Sequence, residues 1–146
     1  MNEIKVLLFD LGGVILDIDF NRVFSHWANN AAGIPASKIR ARFTFDAAYE
    51  AHERGEIKAS DFYASLRNSL GINLTDQEFE DGWNNIFIEE YPEIQSLLIK
   101  AKNHFPIYAF TNSNDTHKIF WASQYKQTIS LFEEIFNSSE LGLRKP

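Results

Sequence analysis

The sequence predicts an α/β fold, a parallel sheet covered by helices, with a helical insertion placed just after the first strand. Three observations carry that prediction. Residues 6–9, VLLF, form an apolar run without polar alternation, the pattern of a strand buried on both faces, and the run ends at Asp10 followed by Gly12 and Gly13. Residues 106–114, PIYAFTNSN, repeat the device, an apolar run that stops in small polar residues. Between the two, residues 17–88 carry helical spacing only.

Taken in order, residues 17–35 (DIDFNRVFSHWANNAAGIP) place Phe20, Val23, Phe24 and Trp27 on one helical face before Gly33 and Pro35 stop it. A second helical stretch carries Ile39, Phe43, Ala47, Ala48 and Ala51 and ends at Gly55. In the third, Ser60 is the expected N-cap, Phe62, Leu66 and Leu70 share a face, and Gly71 is the stop. Thr75 followed by Glu78 is a capping-box signature for the fourth. YPEIQSLLIKAKNHF then reads as an amphipathic helix, HKIFWASQY as another, and Ile135 and Phe136 as a short third strand. The domain expectation is an α/β core from residues 1–16 and 89–146, with a helical cap at 17–88. An insertion at the ligand end of a sheet is placed to act as a lid.

Composition narrows the function classes. The chain has 146 residues, 45% of them hydrophobic, with 13 Phe, 5 Tyr and 3 Trp, enough for a packed core. A net charge of −6 with no basic cluster argues against a nucleic-acid partner, because that affinity comes largely from neutralised phosphates. A small anionic substrate stays open, since a few N–H groups and one lysine suffice to bind it. With no cysteine there is no disulfide framework and no thiolate metal site. MNEIK has no basic start or apolar h-region, and no apolar run approaches membrane-spanning length, so a cytoplasmic location and no membrane partner are expected.

Asp10 stands at the carboxyl end of a strand, where open α/β sheets bind ligands. Gly12 and Gly13 let backbone N–H groups approach a small anion. Equally, Asp10 caps a turn that the glycines make. Thr111 and Asn112 read alone as turn residues after a strand, and Lys145 as a solvated lysine. His26, His104 and His117 have no spacing of a metal site or a base-nucleophile pair.

Taken together, Asp10, FTNSN at 110–114 and Lys145 resemble the first three motifs of the haloacid dehalogenase-like (HAD) hydrolase superfamily. FDLGGVILDIDFNRV, HERGEI and ELGLRKP are further similar to its bacterial sugar-phosphate phosphatases, the subfamily that includes α-D-glucose-1-phosphate phosphatase. The resemblance implies a Rossmann-like core with an inserted helical cap and a Mg²⁺-dependent phosphatase of small sugar phosphates. It assigns Asp10 as the nucleophile that forms an aspartyl phosphate, and Asp10 and the Gly12 carbonyl as metal ligands. Thr111, Asn112 and Lys145 become the phosphate holders, with Thr111 and Lys145 catalytic. His52, Glu53 and Arg54 are candidates to meet the sugar, against the plain reading of HERGE as a solvated helix end.

Two departures qualify it. Gly12 stands where many members have a second aspartate as general acid, a role worth about 10²- to 10⁴-fold; Asp17 or a cap residue is the candidate substitute. The fourth motif, an acidic pair on a later strand, is absent from these 146 residues. The corresponding expectation is an incomplete core, impaired turnover, and an open sheet edge covered by a homodimer or strand exchange. A metal-free haloacid dehalogenase and a non-catalytic phosphate-ligand or protein-binding relic are the alternative readings.

Overall fold

The computed structural model describes residues 2–146. Three parallel strands form the core sheet: β1 (Leu7–Phe9), β4 (Ile107–Thr111) and β5 (Glu134–Asn137), in the order β1-β4-β5. A separate antiparallel ribbon pairs β2 (Leu16–Ile18) with β3 (Phe87–Glu90). Between the ribbon strands run five helices, α1 (Phe20–Asn30), α2 (Ala36–Arg42), α3 (Ala47–Glu53), α4 (Ala59–Leu70) and α5 (Asp76–Asn84). The return to the sheet uses α6 (Ile94–Lys102), and α7 (Asp115–Gln124) and α8 (Lys126–Ile129) connect β4 to β5, followed by α9 (Ser138–Leu141).

The insertion is therefore a helical cap on a two-stranded stem, and the stem corrects the reading of 17–88 as helices only. Strands this short carry too few alternations to register as period-two patterns.

Cap packing is aromatic. Trp27 and Trp83 stack with centroids 5.9 Å apart, Phe79 meets Trp27 edge-on at 5.4 Å, and the Trp27 indole N–H donates to the Phe79 carbonyl at 3.1 Å. Gly82 permits this approach of α1 and α5, because a Cβ there would stand 2.3 Å from Trp27 Cδ1. The capping box of Thr75 and Glu78 is present, and Gly71 ends α4 in the left-handed region at φ 68°. The expected Ser60 cap is not used; α4 starts two residues earlier, with Lys58 at the N-cap and no side-chain hydrogen bond.

The expectation that β1 is buried on both faces is overturned. Leu7, Phe9, Ile107 and Ala109 point to the covered face, whereas Val6, Leu8, Tyr108 and Phe136 line an apolar surface, with Leu8 61% exposed. Topology explains the asymmetry. The order β1-β4-β5 advances in one direction only, so right-handed crossovers put the connecting helices on one side of the sheet.

Candidate functional site

Asp10 follows the last residue of β1, and Thr111 ends the neighbouring parallel strand, so two strand ends open onto one crevice. The Asp10 carboxylate is fixed at both oxygens. Oδ1 accepts the Leu11 main-chain N–H at 2.8 Å, and Oδ2 stands 3.0 Å from Lys145 Nζ. Lys145 Nζ also donates to the Phe110 carbonyl at 2.7 Å. Its backbone is clasped by the Asn112 side chain: the Lys145 N–H donates to Asn112 Oδ1 at 2.8 Å, and Asn112 Nδ2 donates to the Lys145 carbonyl at 3.1 Å. Asp10, Gly12, Thr111, Asn112 and Lys145 thus line one open cleft of about 300 Å³.

Behind this cleft lies a smaller cavity of about 90 Å³ between core and cap. The two share Gly12, Ile18, Thr111 and Asn112. The cap contributes Phe20, Tyr49 and Glu53 to the inner cavity, and the core contributes Ser113 and His117. A mainly apolar hollow with a few convergent polar groups is the ordinary form of a small-molecule site.

Several supports of the site left no mark that sequence reasoning used. The Ser138 hydroxyl accepts the Ser113 N–H at 2.9 Å and donates to the Ser113 carbonyl at 2.8 Å, tying the loop after β4 to the end of β5. Asn114 caps α7 by accepting the His117 N–H at 2.9 Å. The buried His117 ring stands with Nε2 3.1 Å from the Trp83 carbonyl and Nδ1 3.1 Å from Asn114 Nδ2, the arrangement of a neutral ring donating at Nε2. Burial holds its pKa down at about 3.

The candidates in HERGE are rearranged. His52 is buried at 2% exposure and stacks on Phe62 at 4.6 Å, outside the walls of both cavities, with its pKa lowered to about 4 by burial. Arg54 turns outward to Glu56 at 2.7 Å and Glu50 at 3.7 Å. The third candidate, Glu53, lies between them and faces the inner cavity. A helix turns about 100° per residue, so consecutive side chains cannot share a direction. Asp17, the candidate substitute acid, lies on the stem and meets the Tyr91 hydroxyl at 3.4 Å, away from both hollows.

This geometry has relatives. A solved HAD family enzyme of Bacteroides thetaiotaomicron, BT-2542, in complex with magnesium and inorganic phosphate, superposes with a TM-score of 0.81 at 25% identity, covering 99% of this chain and 73% of that one. Among curated proteins, the D-ribitol-5-phosphate phosphatase of the same organism is 25% identical over 150 residues, 98% of this chain and 71% of its own length. The chain is related to the HAD-superfamily hydrolases. A predicted HAD-like family hydrolase of Porphyromonas gingivalis, with TM-score 0.79 at 18% identity over 98% of this chain and 70% of that one, shares the fold. No family model matches the sequence.

Proposed function

We propose that this HAD-like hydrolase is a Mg²⁺-dependent phosphatase of small sugar or polyol phosphates, with Asp10 as the nucleophile. The observation that carries the reading is the Asp10 carboxylate, held 3.0 Å from the Lys145 ammonium in the same cleft as Thr111 and Asn112. The magnesium and phosphate bound to BT-2542, and the activity of the curated relative, support it.

The donor set fits a magnesium ion. Among the described residues no three His, Cys, Asp or Glu side chains converge; Asp10 is the carboxylate that lines the cleft and Gly12 lines it too, so Asp10 and the Gly12 carbonyl are the candidate ligands. Mg²⁺ is commonly held by one or two carboxylates, several waters and the phosphate of the substrate. When bound, it neutralises charge on the phosphoryl oxygens and orients the phosphate.

The chain's own residues divide the work. The Leu11 N–H and Lys145 hold Asp10 in one orientation, which converts a weak nucleophile in water into a positioned one. Its carboxylate oxygen forms the new bond to phosphorus while the bond from phosphorus to the substrate oxygen breaks, and that oxygen leaves taking a proton from water. Water then hydrolyses the aspartyl phosphate, restoring Asp10 and releasing inorganic phosphate. The Lys145 ammonium, the Thr111 hydroxyl and the Asn112 main-chain N–H stabilise negative charge on the transferring group. With glycine at position 12, an anomeric oxygen, more acidic than an ordinary alcohol, is the leaving group that needs least help.

The test is phosphate release from ribitol 5-phosphate and glucose 1-phosphate, with Mg²⁺ and with EDTA, by the wild-type chain and by Asp10→Asn. Metal-dependent release that disappears in the variant is expected. Release that persists in EDTA or in Asp10→Asn contradicts the proposal.

A further inference from the structure

The cap places an acid in the inner cavity that the phosphate chemistry does not use. Glu53 is 5% exposed, lines that cavity, and accepts from Arg144 Nε at 2.7 Å through Oε1. Arg144 also reaches Glu50 at 3.4 Å. Tyr49 lines the same cavity, and burial first, then the neighbouring Glu53 carboxylate, push its phenol pKa up.

We propose that Glu53, seconded by Tyr49, recognises hydroxyl groups on the carbon chain of the substrate while the phosphate sits at Asp10, Thr111 and Lys145. This inference rests on the phosphatase reading and deepens it by naming what the cap selects.

The argument is one of donor and acceptor. Ion-paired with Arg144, the Glu53 carboxylate only accepts hydrogen bonds, so its ligand must present a donor. One arginine already offsets its charge, which leaves a neutral hydroxyl better matched than a second cation. A substrate with another carboxylate or phosphate at that end meets repulsion. Phe20 and Ile86 in the same walls suit the C–H faces of a sugar or polyol. Position matters as well: the inner cavity adjoins the phosphate cleft through Gly12, Thr111 and Asn112, so one short molecule spans both. An ion pair that served only to fasten cap to core has no need to face the cavity.

The pairing of Arg144 with Glu53 has a second effect. Arg144 precedes Lys145, so the acid that reads the hydroxyls also steadies the segment that carries the phosphate-binding lysine.

The experiment compares kcat/KM for ribitol 5-phosphate with that for phenyl phosphate, which has no hydroxyl to offer, in wild type, Glu53→Gln and Tyr49→Phe. Losing a hydrogen bond to a charged group is expected to lower the ratio of the two by about tenfold or more in Glu53→Gln. Tyr49→Phe, which keeps the ring and its packing, is expected to lower it by about threefold or more, and it decides the matter if Glu53→Gln does not fold. A ratio unchanged in a folded Glu53→Gln, or in Tyr49→Phe if the former fails to fold, overturns the inference and leaves the phosphatase intact. A folded wild type inactive on both esters overturns the phosphatase reading, and the inference with it.

Discussion

Replacing His52 with phenylalanine is expected to leave the protein at least as stable at neutral pH and to make it more resistant to acid. The His52 ring is buried against Phe62, and its Nε2 has no hydrogen-bond partner among the described residues, so a phenyl ring removes an unsatisfied polar atom and keeps the stack. Burial holds the folded-state pKa at about 4, against a partial upward pull from Asp115. In the unfolded chain the ring titrates near its ordinary value, about 6.5. The unfolded state therefore takes up the proton first. The contribution of a neutral His52 is complete above the unfolded value and is lost as pH falls toward the folded one. Integrated from pH 7 to pH 5, the loss is about 2 kcal/mol. His117, held down at about 3, behaves with the same sign. It adds about 2 kcal/mol more, so the pair removes a large part of a typical stability of about 5–15 kcal/mol. Glu53 acts with the opposite sign, since burial raises its pKa and the folded form holds that proton more tightly. The difference between wild type and variant isolates His52 from it. Urea unfolding of wild type and His52→Phe at several pH values between 7 and 5 is the assay. The stability difference in favour of the variant should grow by about 2 kcal/mol across that range. A difference that stays flat refutes the assignment of a buried neutral imidazole.

Other outcomes follow from the same geometry. Lys145→Met, which removes the ammonium beside Asp10, should lower kcat about a hundredfold or more in phosphate-release assays. Asn112→Ala removes both arms of the clasp on the Lys145 backbone and should speed hydrogen exchange of the Lys145 amide, with a smaller loss of kcat than Lys145→Met. Gly55→Ala should lower the thermal midpoint by the equivalent of at least about 1 kcal/mol. Residue 55 sits at φ 71°, and a Cβ there would stand 2.1 Å from the Ser139 carbonyl oxygen. The same variant should weaken substrate affinity, because that contact seats the end of α3 on the segment leading to Lys145.

What the sequence disclosed and what it hid have physical causes. The strand carrying Thr111, the helices of the cap, and the Gly71 and Thr75 signals were legible because they depend on local periodicity and capping. Asp10 was legible as a residue at a strand end, and its partnership with Thr111 and Lys145 rested on resemblance, since nothing local connects residues so far apart in the chain. The exposed face of β1 was not legible, because an apolar run states what a strand prefers to contact and not what the remaining elements supply. In HERGE the sequence offered three neighbours, and the structure brings one of them, Glu53, to the cavity. Whether His52, Glu53 or Arg54 faces the cavity depends on the roll of α3 against α4 and α9, a tertiary quantity that five residues do not encode. Arg144 was hidden for a similar reason, as its partner Glu53 lies 91 residues away.

The most direct test of the central claim is to trap the covalent intermediate. The wild-type chain would be mixed with ribitol 5-phosphate and Mg²⁺, quenched in acid, digested, and examined by mass spectrometry for the peptide containing Asp10. The account predicts the mass increment of one phosphoryl group on Asp10, lost after mild base and absent from Asp10→Asn. Turnover without that increment, or with the group on another residue, would contradict it.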